Sequence, residues 1–211
     1  MKTFPIGGVH PSENKLSRGK AIEVLPLPEV VQIPLGQHIG APATAKVAKG
    51  DKVLTGQLIA EATGFMSANI HSPISGVVES VDLQPNGQGQ RQMMITIKRE
   101  GDEWVDTIDR STELKRECTL DGAAIIAKIK DAGIVGMGGA TFPTHVKLSV
   151  PPGKKAECLI INGVECEPYL TSDHRTMLEL GEEMLVGVEI LMKAINVDKA
   201  YVGIENNKPD A

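Results

Sequence analysis

Aromatic residues make up only 3% of this 211-residue chain, too few rings for a base-stacking surface or a carbohydrate platform. Cysteine is equally scarce. Cys118, Cys158 and Cys166 stand at spacings that match no zinc or cluster template, and an odd number supplies no disulfide framework, which suits a reducing compartment. No run of Lys and Arg interrupts a formal net charge of -5, so phosphate backbones and anionic lipid heads find no attracting field and nucleic acid is not an expected partner. No stretch reaches the about 18 apolar residues that span a bilayer, and the opening MKTFPIGGVHPSENK has no apolar signal core. The chain is therefore expected in the cytoplasm. The 41% hydrophobic and 23% charged residues that are present describe a folded protein, long enough for one large domain or two small ones.

Two halves differ in pattern. From about residue 20 to 98, short β-type runs alternate with Gly and Pro: AIEVL, VVQIPL, TAKVAKGDKV, QLIAEA, ANIHSPISGVVESVDL and MMITIK. Turns are expected at Gly50-Asp51, at Gly56 and at Ser72 to Gly76, with a polar hairpin loop over QPNGQGQRQ. The phrase from Val47 to Val81 resembles the barrel-sandwich of biotinyl and lipoyl carrier domains. Those carriers attach their group to a hairpin-tip Lys, yet no Lys occurs between Lys52 and Lys98, and the tip reads Thr63, Gly64, Phe65, Met66, Ser67. The fold signal is present and the carrier chemistry is not.

After a charged link over about 100–118 the period becomes helical. LDGAAIIAKIKDAG predicts a helix ending at Gly133. A glycine-rich loop follows, then the apolar run ECLIIN ending at Asn162, one long helical region from about Asp173 to Asn196, and a second strand, AYVGIE. Strand, helix, strand in that order implies a parallel pair with a right-handed crossover. The expected fold is α+β: an all-β barrel-sandwich domain over 1–105 and a partial α/β domain over 106–211.

Two stretches carry chemistry. In GIVGMGGATFPTHVKL, Gly136, Gly138 and Gly139 let the backbone take positive φ and approach a ligand, and successive N–H groups in such a loop attract anions. Pro143 is placed to begin a helix, and Lys147 adds a mobile positive charge, a combination suited to phosphate. Glycine clusters also make plain tight turns, and neither the Rossmann nor the Walker pattern is matched. In INGVECEPYLTSDHR, Asn162 ends a strand where α/β sheets collect ligands, Glu165 and Glu167 follow two apart, and Asp173 is expected to cap the next helix. Read alone, this stretch is equally a solvated acidic turn.

GMGGATFPTHVK followed by INGVECEPYLTSD resembles the flavin- and NADH-binding flavoprotein family of respiratory complex I. Together with GGVHPSENK, LPLPEVVQIPLGQHIGAPA and the barrel-sandwich phrase, it more closely resembles the RnfC family, peripheral flavoprotein subunits of a bacterial electron-transport complex. The resemblance covers essentially the whole chain. It implies FMN as cofactor, bound by Gly136, Gly138, Gly139, Lys147, Asn162 and Glu165, with NADH meeting Ala140, Phe142 and Glu167, no metal ligand and no catalytic acid or base, because the flavin carries the hydride. Met137, Thr141, Val164 and Tyr169 stand where the complex I pattern has Arg, Gly, Asp and Gly; Val164 and Tyr169 fit the RnfC form.

The resemblance further implies membrane subunits of the Rnf complex, NAD(H) and ferredoxin as partners, peripheral attachment at the cytoplasmic face of the bacterial inner membrane, and coupling to ion transport. RnfC proteins also carry two four-cysteine motifs for 4Fe-4S clusters. None is found in these 211 residues, so the clusters are expected in a missing carboxy-terminal part, and the chain alone is expected to be inactive and to bind FMN weakly. A cobalamin-reductase-type flavoprotein and a non-catalytic docking module are the alternatives.

Overall fold

The computed structural model describes residues 11–211, which form two compact units. One takes its described residues from Met1–Val24, Glu157–Met192 and Val197–Ala211; the other comprises Leu25–Ala156 with Lys193–Asn196. Helices and antiparallel sheet coexist as the sequence predicts.

The larger unit is built on two antiparallel sheets. β1 (Val30–Pro34), β7 (Arg91–Arg99), β6 (Gly76–Pro85) and β3 (Lys52–Val53) form one in that order, and β2 (Thr44–Ala45), β4 (Leu58–Glu61) and β5 (Ile70–His71) form the other. Side chains from both sheets share one core: Ile33, Val53, Val78, Ile95 and Ile97 on the first, Ile59, Ala60 and Ile70 on the second. The long β6–β7 hairpin closes on Asn86, whose side-chain oxygen accepts the amides of Gln88 and Gln90, each at 2.9 Å. Gly76 is required where β6 meets β7, since a Cβ there would lie 1.9 Å from the Lys98 carbonyl oxygen. AIEVL forms no strand. Residues 21–25 are exposed and join no sheet, so β-type composition without a neighbouring ladder leaves them outside regular structure.

The same unit holds α1 (Gly122–Asp131) and α2 (Thr144–Leu148). Asp121 caps α1 by accepting the Ala124 amide at 2.8 Å, and Ile125 and Ile129 are its buried face. Gly133, at φ +67°, ends it as expected: the Gly133 amide returns to Lys130 and that of Ile134 to Ile129. The helix end meets the β4–β5 connection, where Asn69 donates to the Asp131 carbonyl at 3.1 Å.

In the smaller unit β8 (Leu159–Asn162) and β9 (Ala200–Gly203) pair in parallel, Leu159 opposite Ala200 and Asn162 opposite Gly203. The connecting helical region is two helices, not one. α3 (Ser172–Glu179) stops at Leu180, whose φ is -125°, and α4 runs Gly181–Ile195. The break is confined to Leu180: Gly181 is already helical as the first residue of α4, and the Leu180 amide still reaches the Thr176 carbonyl at 2.8 Å.

Candidate FMN and NADH site

The glycine loop lies between α1 and α2. An antiparallel bridge of Val135 with Pro143 pinches its base, where the Gly136 amide donates to the Phe142 carbonyl at 2.8 Å. That bond withdraws the Gly136 N–H from ligand duty. The amides of Gly138, Gly139 and Ala140 have no protein acceptor among the described residues, and all three residues are exposed. A Cβ at Gly138 or Gly139 would meet nothing within 4 Å, and Gly139 has φ +137°. Three free donors facing open space are what an anion requires.

Lys147 reaches back over this base. Its Nζ lies 5.9 Å from the Phe142 ring centroid, and a Cβ at Gly136 would stand 2.8 Å from it. Gly136 therefore makes room for the ammonium. Pro143 is the cap of α2 rather than its first helical residue, with φ -57° and ψ 121°, because its carbonyl turns in to accept Val146 and Lys147. Behind α2, buried His145 places Nε2 3.0 Å from the Phe65 carbonyl, and the two rings meet edge to face at 6.1 Å, so the hairpin tip that lacks a carrier Lys is tied to the loop's helix.

Asn162, Glu165 and Glu167 belong to the other unit. The Asn162 side-chain oxygen accepts the Val164 amide at 3.1 Å, turning the chain sharply at the carboxyl end of β8. Glu167 is exposed. Glu165 is only 2% exposed and points inward: one carboxylate oxygen accepts the Asp173 amide at 2.8 Å and the Ser172 hydroxyl at 3.2 Å, the other lies 3.5 Å from Lys208 Nζ. Asp173 is thus not the cap of α3. The cap position is Thr171, and the orphan helix donors are met by Glu165 from the preceding turn.

Burial alone would raise the Glu165 pKa, but the Asp173 amide, the Ser172 hydroxyl and the Lys208 charge outweigh it and hold the group below its ordinary value. Asp173 moves the other way, raised by burial and by the negative charges of Glu165 and Glu167. Lys208 would be lowered by burial, yet Glu205 at 2.8 Å and Glu165 together push it above the usual lysine value. Its neighbour Asp210 is held low by His174, 2.9 Å away.

The glycine loop with Phe142 and Lys147 therefore forms one constellation, and the Glu165 turn with Lys208 another. Lys208 escapes sequence reading: it stands 43 positions beyond Glu165, and no local pattern marks a partner that only the fold delivers. Thr141, at φ +49°, and Tyr169, at φ +72°, are left-handed non-glycine residues, and they occupy the two positions where the complex I pattern has Gly.

The loop fits the phosphate end of a flavin nucleotide: free amides, an adjacent ammonium and no Cβ in the way. Residues 129–211 match the Nuo51 FMN-binding domain, and residues 2–102 match the RnfC barrel sandwich hybrid domain. All of the chain aligns at 50% identity with the C subunit of the proton-translocating ferredoxin:NAD(+) oxidoreductase complex of Clostridium ljungdahlii, covering 46% of that protein. It is 46% identical over 97% of its length to the Na(+)-translocating counterpart of Acetobacterium woodii, again 46% of the relative. With the C subunit of the ion-translocating oxidoreductase complex of Pseudomonas aeruginosa it shares 38% identity over its whole length, covering 27% of that protein. The chain spans about half the length of the first two relatives, and less of the third. With both modules in order and similarity running through the whole chain, it belongs to the RnfC family and corresponds to that family's amino-terminal region.

Proposed function

We propose that this chain forms part of the NAD(H)-side flavoprotein subunit of an ion-translocating ferredoxin:NAD(+) oxidoreductase complex. The observation that carries the reading is the loop at Gly138 to Ala140, with its free amides and the Lys147 ammonium, within a segment that matches an FMN-binding domain. A barrel-sandwich module over 1–105 followed by an FMN and NADH module over 106–211 is part of the same reading, supported by family matches on either side of that boundary.

FMN held here would supply hydride acceptance from NADH and release of single electrons. The chain's own residues bind and orient. The amides of Gly138 and Gly139 would donate to the FMN phosphate oxygens, and Lys147 would offset their charge. Gly136 keeps Lys147 close to the loop. By the family resemblance, Asn162 and Glu165 would face the ribityl and ring region, and Ala140, Phe142 and Glu167 would meet the dinucleotide. No residue of the chain is assigned a proton transfer. On this reading tetranuclear clusters would belong to the part of the relatives' length that this chain does not span, because its three cysteines are too few for a four-thiolate set. Attachment is peripheral, at the cytoplasmic face, through membrane subunits; no helix among the described residues is long and apolar enough to cross a membrane.

The test is anaerobic NADH addition to the complete gene product containing this chain, reconstituted with FMN. Bleaching of the flavin absorbance on NADH addition is the expected result. A protein that joins its complex normally yet neither binds FMN nor bleaches is a docking module, and the reading fails.

A further inference from the structure

Residues 11–22 precede the first strand and form an arm whose large apolar side chains, Leu16 and Ile22, remain exposed. What holds this arm is polar, and its partners concentrate on the stretch from Glu165 to Glu179. Lys15 Nζ donates to the carbonyl oxygens of Glu165 and Glu167 at 2.6 and 2.8 Å. The Glu13 carbonyl accepts the Tyr169 amide at 2.9 Å, and the Ser17 and Thr171 hydroxyls share a bond of 2.7 Å. Farther along, Arg175 donates to the Arg18 carbonyl at 3.1 Å, and the Ile22 amide to both Glu179 carboxylate oxygens at 3.1 Å.

An ammonium has three donors and no acceptor, so it can gather several carbonyls at one point. Two carbonyls on alternate residues converge on one nitrogen only where the peptides around Cys166 are turned. Lys15 therefore stabilises the bend that directs the Glu165 carboxylate inward toward α3 and leaves Glu167 outside. The arm also supports strain two residues later: Tyr169 holds a left-handed φ of +72° with its amide bonded to Glu13. Nothing in the local sequence pairs position 15 with position 165.

We propose that Lys15 is a positioning residue for the Glu165–Glu167 turn, so that the amino-terminal arm serves the FMN and NAD(H) site without touching either ligand. This rests on the FMN reading above. The ammonium acts through backbone carbonyls; its removal releases the turn, lets Glu167 wander and loosens the Glu165 contact with the α3 N-terminus.

The experiment compares Lys15→Met, Lys15→Gln and Lys15→Arg with Gly139→Val in the complete gene product, reading FMN affinity by fluorescence quenching and the KM for NADH. Lys15→Met is expected to weaken FMN binding by about ten-fold or more and to raise the KM. Lys15→Gln, which keeps a neutral donor, should lose less and serves if the Met variant does not fold. Lys15→Arg should restore both values, because a guanidinium also donates to two oxygens. Wild-type affinity and KM in Lys15→Met or Lys15→Gln, alongside lost FMN in Gly139→Val, overturns the role of Lys15 and leaves the FMN reading standing. Equal loss in all three Lys15 variants marks a packing role and overturns it too. If Gly139→Val also keeps its FMN, the FMN reading and this proposal fall together.

Discussion

Ile59, Ile95 and Ile97 in the two-sheet core are fully buried, whereas Ile160 on β8 remains 70% exposed and Tyr201 on β9 58% exposed. The first region is stabilised by apolar area removed from water and by strands that pair along most of their length. Among the described residues the second has a two-stranded parallel pair, with a buried ion pair and a polar arm beside a smaller apolar set that includes Leu159, Val186, Val188 and Val197. Parallel strands ordinarily sit under cover on both faces. The contrast separates a region held by an extended apolar core from one that also buries charge, and charge is responsive to pH and to partners in a way that isoleucine is not.

The largest expected effect lies in the apolar region. Ile95→Ala should cost about 4 kcal/mol, because it removes buried methyl and methylene groups from a core that cannot collapse around the gap. Denaturant unfolding would measure this. A loss under about 1 kcal/mol would mean that the core is loosely packed and that the contrast between the regions is false.

Next comes the buried pair. Lys208→Met should cost about 3 kcal/mol at neutral pH by leaving the Glu165 carboxylate buried without its cation. Its pH dependence follows from the sign of the shift. The folded pKa of Glu165 lies below the unfolded value, so its contribution is complete above the ordinary carboxylate range and is lost as the pH falls through the folded value. Asp173, shifted upward, partly opposes this. The difference between wild type and Lys208→Met should therefore shrink on acidification, as read by hydrogen exchange of the α3 amides. A difference that is constant across pH would assign Lys208 a packing role alone.

The smallest effect concerns strain. Thr141 holds a left-handed φ that glycine adopts freely, so Thr141→Gly should gain about 0.5–1 kcal/mol after the entropy of glycine is counted. Thermal unfolding would show the shift, and a loss of stability would mean that the Thr141 side chain supports the loop.

The same contrast decides what is legible in the sequence. Strands of the larger unit follow from alternation and from turn glycines: Gly50 and Gly56 both take positive φ where turns are expected. Composition misleads at AIEVL, which has the residues of a strand and no ladder to join. In the smaller unit the strands and their parallel order are visible, because apolar runs and helical periods are local. Its energetics are not. The partners of Glu165 come from Lys15 and Lys208, at opposite ends of the chain, and the capping of α3 passes from Asp173 to Glu165 for the same reason. A break at Leu180 hides inside a continuous helical period.

FMN content tests the central claim most directly. The complete gene product should purify with, or take up, stoichiometric FMN. Lys147→Ala should bind it roughly 10- to 150-fold more weakly, as expected for one charge-assisted hydrogen bond, and Gly139→Val should lose it outright, since a side chain there enters open space at φ +137°. Lys147→Ala should unfold at the temperature of flavin-free wild type, and Gly139→Val somewhat below it because its backbone is strained. Full FMN in both would show that the glycine loop is only a turn, and the assignment of the site to it would be contradicted.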